Sequence, residues 1–308
     1  MRKKILNVCL PALMLLASTV AWAQIPTVKV YQIGTAEELK AFADAVNNGE
    51  NYAHGILTAD IDYGTENTMI GRDGMDFQGC LDGQGHTITI NMTGSADGQA
   101  LCRNLGVNGR VQNLVIKGTI TTAFKYAAAV AAWSSGTVTN VKSELTVNSS
   151  ISGDGTHAGI VAVPGAGSLV ANCMAIFTID GPQTNNCGGI VGWASDRCIV
   201  ENCLAINNFT LSGLDGSASI SRNAGSMLKA YNNYYLNATG DGAGGTQVSA
   251  EDLASGKVCF LLNHDQRNIQ WTQTIGTDPY PVPFTTQSTV YCSAATKCDG
   301  TSDDAGAT

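Results

Sequence analysis

Short apolar runs recur through the middle of the chain with a period of about 30 residues, within the range that known repeat proteins use. Four of these runs align on Val130, Ile160, Ile190 and Ile220, and each of the four is preceded by two small residues. A fixed period is typical of proteins built from stacked repeats, in which each unit buries its apolar face against its neighbours. We therefore expect these four side chains to form one column in the interior.

A second segment with the same period carries asparagine at its third position. Its copies begin with VQN, VTN, VAN, VEN and AYN, and the asparagines are Asn113, Asn140, Asn172, Asn202 and Asn232. Asparagine tolerates left-handed backbone, and stacked amides can bond to the coils above and below. We expect a structural asparagine ladder at a turn. The functional alternative is that these amides line a ligand groove.

Each repeat unit holds three short apolar runs, separated by Gly, Asn, Ser and Asp. None of these runs has the helical period. The pattern predicts an all-β fold, a parallel β-helix with three strands and three turns per coil and parallel pairing between coils. The predicted β-helix covers residues 77–246.

Helices are expected at both ends of this solenoid, because an open end exposes apolar core and unpaired strand edges. Thr35 and Glu38 have the spacing of a capping box, and Ser249 starts a second helix of the same kind. The other predicted boundaries are 24–76 for an N-terminal cap of helix plus strand, 247–285 for a C-terminal helix with an extended segment, and 286–308 for a poorly ordered tail.

Residues 1–23 have the pattern of a secretory signal peptide. A basic start at Arg2–Lys4 precedes an apolar run, and Ala21-Trp22-Ala23 has the form of a cleavage site. The apolar run is short for a membrane-spanning helix, and no second run of about 18 apolar residues follows. The sequence therefore predicts an exported protein, secreted or on the outer cell surface, with no membrane span after cleavage.

The net negative charge of the chain argues against some classes of binding partner. The predicted mature chain keeps 17 − 3 = 14 Lys and Arg against 25 Asp and Glu, a net charge of 14 − 25 = −11, and no basic run occurs. Nucleic acid and anionic membrane surfaces are therefore poor partners. The histidines and cysteines have no zinc-binding spacing, so we predict no metal and no other cofactor.

Ten cysteines, of which Cys9 lies in the predicted signal peptide, leave two alternatives: a disulfide framework or buried thiols. Nine cysteines cannot all pair within one chain. Cys173 and Cys203 are one repeat period apart, so they occupy equivalent positions in neighbouring coils, at a spacing that would permit a disulfide. Thiols that pack as small apolar side chains are the favoured interpretation for most of them.

The segment GGIVGWASDRCIVENCLA, residues 188–205, resembles the GLUG-type repeat, in which Gly-apolar-Val-Gly is followed by apolar-x-Asn-Cys. Residues 157–175 resemble it more loosely. The layout from about Ile33 to Phe284 is similar to that of secreted and surface-exposed proteins of Gram-negative commensal bacteria. The resemblance implies a right-handed parallel β-helix with an adhesive or glycan-contacting role. Such repeats also accompany some secreted metallopeptidases, but the chain has no H-E-x-x-H motif.

Catalytic chemistry has little support in the pattern. Asp82 and His86, in FQGCLDGQGHTITINM, are either an acid–base pair or a tight turn that leads into a strand. A β-helical glycosidase needs further carboxylates that converge on one face, and only Asp154 and Asp215 share a repeat phase. We therefore predict no catalytic residue and interpret Asp82 as a turn residue. A polysaccharide-active lyase or glycoside hydrolase is the alternative.

Aromatic side chains favour a binding function. Trp133 and Trp193 lie two repeat periods apart, so a regular strand would place both indoles outward on one face, where they can stack on sugar rings. Alternatively, a bend reverses the strand and they pack beneath a loop. Tyr231, Tyr234 and Tyr235 are further candidates near the same end. The predicted function is adhesion to glycans or host surface proteins. A spacer within a longer surface protein is a further alternative.

Overall fold

A computed structural model of the chain describes residues 28–181, 183–210, 216–222, 227–240, 244–290, 292–293 and 297–298. The predicted signal peptide therefore lies outside the described residues, as do Asp215 and most of the predicted tail. In the described part of the chain, no helix is long and apolar enough to cross a membrane.

The described residues form 21 strands and three helices. The helices are α1 (Ala36–Asn47), α2 (Ala250–Ala254) and α3 (Lys257–Asn263). The strands are β1 (Val30–Ile33), β2 (His54–Leu57), β3 (Ile61–Gly64), β4 (Cys80–Asp82), β5 (Thr87–Thr93), β6 (Cys102–Leu105), β7 (Arg110–Thr122), β8 (Ala131–Ser134), β9 (Thr137–Ser149), β10 (Gly153–Asp154), β11 (Val161–Pro164), β12 (Leu169–Ala171), β13 (Met174–Asp180), β14 (Thr184–Asn185), β15 (Cys198–Glu201), β16 (Leu204–Thr210), β17 (Leu228–Tyr231), β18 (Tyr234–Leu236), β19 (Thr246–Gln247), β20 (Cys292–Ser293) and β21 (Lys297–Cys298).

Successive coils stack by parallel strand pairing, which confirms the predicted all-β parallel β-helix. The largest sheet has 14 strands, and its main path runs β1-β2-β4-β7-β9-β13-β16-β18-β19. A second sheet has the order β11-β8-β6, and its pairs are also parallel. Strands that are one coil apart in the sequence are therefore neighbours in space.

The repeat period places equivalent residues above one another. Backbone N–H···O bonds of 3.0 Å link Val130 to Ile160, Ile160 to Ile190, and Ile190 to Ile220. All four side chains are fully buried. The small residues before them are needed for close packing, because a Cβ on Gly189 would lie 2.0 Å from a carbonyl oxygen of the next coil.

The five asparagines of the ladder all adopt left-handed backbone. Their φ angles are 52° at Asn113, 52° at Asn140, 51° at Asn172, 53° at Asn202 and 49° at Asn232. Left-handed backbone is costly for most L residues and less so for asparagine, whose short polar side chain can bond locally. The residue type therefore follows from a left-handed bend, which lies between two strands at Asn172, Asn202 and Asn232 and within β7 and β9 at Asn113 and Asn140.

The side chains of these asparagines have different partners along the stack. Asn232 donates to the Oδ1 atom of Asn202 at 2.8 Å, which is a true rung-to-rung amide bond. Asn140 instead donates to Gln270 at 2.8 Å, and the Oδ1 atom of Asn172 accepts from Gln266 at 2.6 Å. Residues that follow α3 thus cover part of the ladder, so those amides do not line an open groove.

We expect Asn202→Ala to lower the free energy of unfolding by about 1–2 kcal/mol, because alanine has no side chain that compensates left-handed backbone. Asn202→Gly is the matched control, since it loses the same bond to Asn232 but adopts positive φ freely. Urea unfolding of both variants measures the difference. Equal losses would mean that the side-chain bond, rather than the backbone conformation, selects asparagine here.

The N-terminal helix covers the first coils. Thr35 Oγ1 accepts the backbone N–H of Glu38 at 3.2 Å, and the carboxylate of Glu38 accepts the N–H of Gly34 at 2.7 Å. The apolar face of α1, including Leu39 and Phe42, is buried in the same core as the strands.

Parallel stacking begins earlier than the predicted residue 77, because β1 pairs with β2 and β2 pairs with β4. These first coils are shorter than the repeat. Val30 lies opposite His54 and Gly55 lies opposite Leu81, so the sequence spacings are 54 − 30 = 24 and 81 − 55 = 26. These first coils therefore lie outside the pattern of 30-residue repeats.

The C-terminal segment, residues 249–290, lies along the outside of the solenoid. The chain first closes the last coil, where a Cβ on Gly245 would lie 2.7 Å from Cγ1 of Ile220. It then folds back over the outward-facing apolar side chains of β13, β16 and β18. Trp271 is fully buried there, in one cluster with Met174 and Leu204.

Thiol packing accounts for the cysteines whose side chains are described. All of these are free, and they are Cys80, Cys102, Cys173, Cys187, Cys198, Cys203 and Cys259. Cys173 and Cys203 each lie 3.7 Å from a carbonyl oxygen of the preceding coil, Val138 and Val170 respectively. In β20 and β21, Cys292 and Cys298 lie opposite one another across an antiparallel pair.

Candidate functional site

Trp133 and Trp193 lie in one column, which includes β8 and β11 of the three-stranded sheet and continues into the next coil. Trp133 pairs in register with Val163 of the next coil. Trp193 follows Val163 by one repeat period, and its backbone N–H donates to Ala162 at 2.8 Å. We call the column of Trp133, Val163 and Trp193 the tryptophan face. The two indoles therefore lie on the same side, two coils apart.

The indole of Trp133 is held in place by its surroundings. The guanidinium of Arg103 lies 5.0 Å from the ring centroid, within cation–π range. The ring of Tyr126 packs at 5.4 Å, and a Cβ on Gly98 would lie 2.1 Å from the indole. Trp133 is thus partly covered by the loop that contains Gly98, which is one of the two arrangements the sequence left open.

Trp193 presents more of its ring to solvent, with 39% of the residue exposed. The guanidinium of Arg222 lies 5.8 Å from its ring centroid. Arg222 is itself fixed, because it donates to the Asp154 carboxylate at 2.6 Å. The indole is therefore both accessible and supported.

The Asp154 carboxylate bridges two cations. Arg222 contacts one of its oxygens, and Lys125 contacts the other at 2.9 Å. Burial alone would raise the pKa of Asp154. A hydrogen bond from Thr156, the bond from Lys125 and the charge of Arg222 outweigh that effect and lower the pKa to about 2. Asp154 is consequently a carboxylate at any ordinary pH and cannot act as a general acid.

A cleft of about 280 Å³ lies beside Trp133. We call it the Trp133 cleft, and its polar lining consists of Asp73, Asp76, Asn104, Ser134, Ser135 and Ser195. Arg103 contacts the Asp73 carboxylate with two nitrogens, each at 3.3 Å. These hydrogen bonds and the charge of Arg103 hold the pKa of Asp73 below its ordinary value.

The three tyrosines that the sequence offered as further binding residues do not join the tryptophan face. Tyr231 is 53% exposed but belongs to β17, in the largest sheet. Tyr234 lies under the C-terminal segment and donates to Asn232 at 2.7 Å. Tyr235 points into the core. Successive residues of a strand face opposite sides, so Tyr234 and Tyr235 cannot share a surface.

Asp82 serves the turn that the sequence predicts. Its carboxylate accepts from the Gln112 amide at 2.9 Å, the Asn113 amide at 3.1 Å and the backbone N–H of Gln84 at 3.0 Å. Burial would raise the pKa of Asp82, but these bonds lower it overall. His86 contacts Asp60 instead, at 3.2 Å. The structure does not pair Asp82 with His86.

A serine–histidine contact, Ser149 with His157, escaped sequence reasoning. The Nε2 atom of His157 lies 3.0 Å from Ser149 Oγ. Its Nδ1 atom accepts the backbone N–H of Ala127 at 3.1 Å, so in the neutral ring the proton lies on Nε2. Nε2 therefore donates to Ser149 and cannot accept its proton, as a nucleophile would require. Both residues are buried.

Comparison with known proteins gives the fold and no family. No family model matches the chain, and no curated protein matches it. A solved bacterial structure shares the fold. It is the crystal structure of a "putative immunoglobulin A1 protease" from Bacteroides ovatus, with a TM-score of 0.58 and 19% identity, covering 82% of this chain and 92% of that chain. The GLUG-type resemblance stays a prediction.

Proposed function

We propose that this protein is an exported, non-catalytic β-helix that binds carbohydrate through the tryptophan face and the Trp133 cleft. The observation that carries the proposal is the exposed, supported indole of Trp193, in one column with Trp133. Export rests on the sequence pattern of residues 1–23. Adhesion to glycans on a host surface is the biological role that this binding would serve.

Sugars combine apolar C–H faces with hydroxyl groups, and this surface offers partners for both. Trp193 supplies an aromatic plane. Within the Trp133 cleft, Asp76 and Asn104 supply a carboxylate and an amide, and Ser135 and Ser195 supply hydroxyls. Coils rise by about 4.8 Å, so the two indoles lie about 10 Å apart along the stack, with the buried Val163 between them. An extended polysaccharide fits this arrangement.

A glycoside hydrolase is the second candidate, because Asp73 and Asp76 line the same cleft. Such enzymes need one carboxylic acid with a raised pKa to protonate the leaving oxygen. Arg103 lowers the pKa of Asp73, so Asp73 does not suit the role of that acid. We therefore favour binding without catalysis, and release of reducing or unsaturated ends from a polysaccharide panel would overturn that preference.

We expect Trp193→Ala to weaken binding to the best glycan of an array about tenfold, as loss of a single aromatic stacking contact does. Tyr52→Ala is the matched control, since Tyr52 is 54% exposed and lines a different pocket beside the N-terminal strand. Isothermal titration calorimetry measures both affinities. The proposal fails if no glycan binds, or if Trp193→Ala binds as tightly as the wild type.

A further inference from the structure

A second concavity lies next to the Trp133 cleft on the surface of the solenoid. It is a groove of about 420 Å³, and the residues that matter are Gly167, Ser168, Arg197, Ile199, Met227 and Lys229. We call it the cationic groove. It crosses three successive coils, because Leu169 pairs with Ile199 and Ile199 pairs with Lys229 in the parallel sheet.

The charge of the groove comes from Arg197 and Lys229. Among the described residues, no carboxylate lies within ion-pair distance of Arg197 or Lys229, whereas Arg103, Lys125 and Arg222 each contact an aspartate. The nearest acid in the sequence is Asp196, which accepts the backbone N–H of Arg197 at 2.6 Å. In a chain of net charge −8, two cations in one concavity, neither of them in an ion pair with a described residue, make a local positive site.

The floor of the groove is apolar, and the described residues that line it include no aromatic ring. Ile199 is 37% exposed and Met227 is 42% exposed, although the strand residues beside them are buried. A ligand that fits must therefore carry negative charge at one edge and present C–H groups to aliphatic side chains. A sugar acid has both features on a single ring.

The groove and the cleft can contact one chain. Gly165 and Ser195 line the Trp133 cleft. Gly167 and Arg197, each two positions further along the chain, line the cationic groove. Residues two positions apart are separated by at most about 7 Å, so the two concavities meet at this corner. A bound oligosaccharide can thus extend from one to the other.

We propose that the cationic groove binds the carboxylate groups of an acidic glycan, a polymer that contains uronic acid. The choice of a glycan over an acidic peptide rests on the carbohydrate binding proposed above. Arg197 and Lys229 lie on successive coils, so each can contact one acidic group of a chain that runs along the stack.

The test compares oligogalacturonate with its methyl ester, which has the same sugar backbone without the charge. We expect the purified protein to bind the acid about tenfold more tightly than the ester. Arg197→Gln combined with Lys229→Gln should abolish that preference and leave the affinity for the ester unchanged. Arg267→Gln, an exposed cation of the C-terminal segment, is the matched control and should change nothing.

Equal binding of acid and ester by the wild type overturns the proposal, as does an unchanged preference in the double variant. An oligoglutamate peptide provides the remaining arm. If it binds through the two cations and oligogalacturonate does not, the groove binds peptides and the proposal is wrong. If the acid binds through the cations and Trp193→Ala has no effect on any glycan, the groove assignment stands while the function proposed for the tryptophan face fails.

Discussion

Replacement of Trp271 by alanine is expected to lower the free energy of unfolding by about 3–5 kcal/mol, the range for large aromatic residues in a core. Trp271 is fully buried between the C-terminal segment and the solenoid. Its indole Nε1–H also donates to the Oδ1 atom of Asn172 at 3.1 Å. The substitution leaves a cavity and removes a donor from that buried amide oxygen.

Urea unfolding followed by circular dichroism measures this loss. Trp271→Phe is the control, since it keeps an aromatic ring in the core and removes the indole N–H with the rest of the five-membered ring, so its loss should be smaller, about 1–2 kcal/mol. Limited proteolysis should cut the alanine variant first within residues 249–290. Wild-type stability in Trp271→Ala would show that the C-terminal segment does not stabilise the coils on which it packs.

Acidification is expected to destabilise the fold through His157. Desolvation lowers the pKa of this fully buried histidine to about 4, from an ordinary value of 6.5. The unfolded chain therefore takes up the proton before the folded protein does. The stability that neutral His157 provides is complete above pH 6.5 and is lost as the pH falls towards 4. The difference between the two pKa values corresponds to about 3 kcal/mol.

The pH dependence of unfolding tests this expectation when wild type and His157→Asn are compared. Asparagine does not titrate, and its Oδ1 atom can accept the Ala127 N–H in place of Nδ1. The loss of stability between pH 7 and pH 4 should therefore shrink by about 3 kcal/mol in this variant. His54→Asn changes an exposed histidine and should leave the wild-type curve intact. An unchanged slope in His157→Asn would assign the acid sensitivity to other groups.

The regular part of this fold was predictable because local chemistry and repeat register agree. A constant repeat spacing and two small residues before each Ile or Val were enough to place Ile160 against Ile190. The asparagines were predictable as turn residues because one backbone conformation selects that side chain. The column that holds Trp133 and Trp193 follows from the same register.

Contacts between segments distant in sequence were not predictable in this way. The sequence holds one indication of where the C-terminal segment packs. Met174 and Ile176 make the outward face of β13 apolar, although its inward face is apolar too. A strand with two apolar faces is covered on both. The contact of His157 with Ser149 left no signal, because it depends on how coils stack around a buried turn.

The C-terminal segment also has a consequence for how this protein can change in evolution. It forms hydrogen bonds with the asparagine ladder on three different coils. Leu261 bonds to Asn232, Gln266 bonds to Asn172, and Gln270 bonds to Asn140. Duplication or deletion of one coil within that span would shift every later contact by a whole repeat. Repeat arrays commonly vary in copy number, but here a gene that gains a repeat must also lengthen the returning segment. The number of repeats and the length of the C-terminal segment must therefore change together.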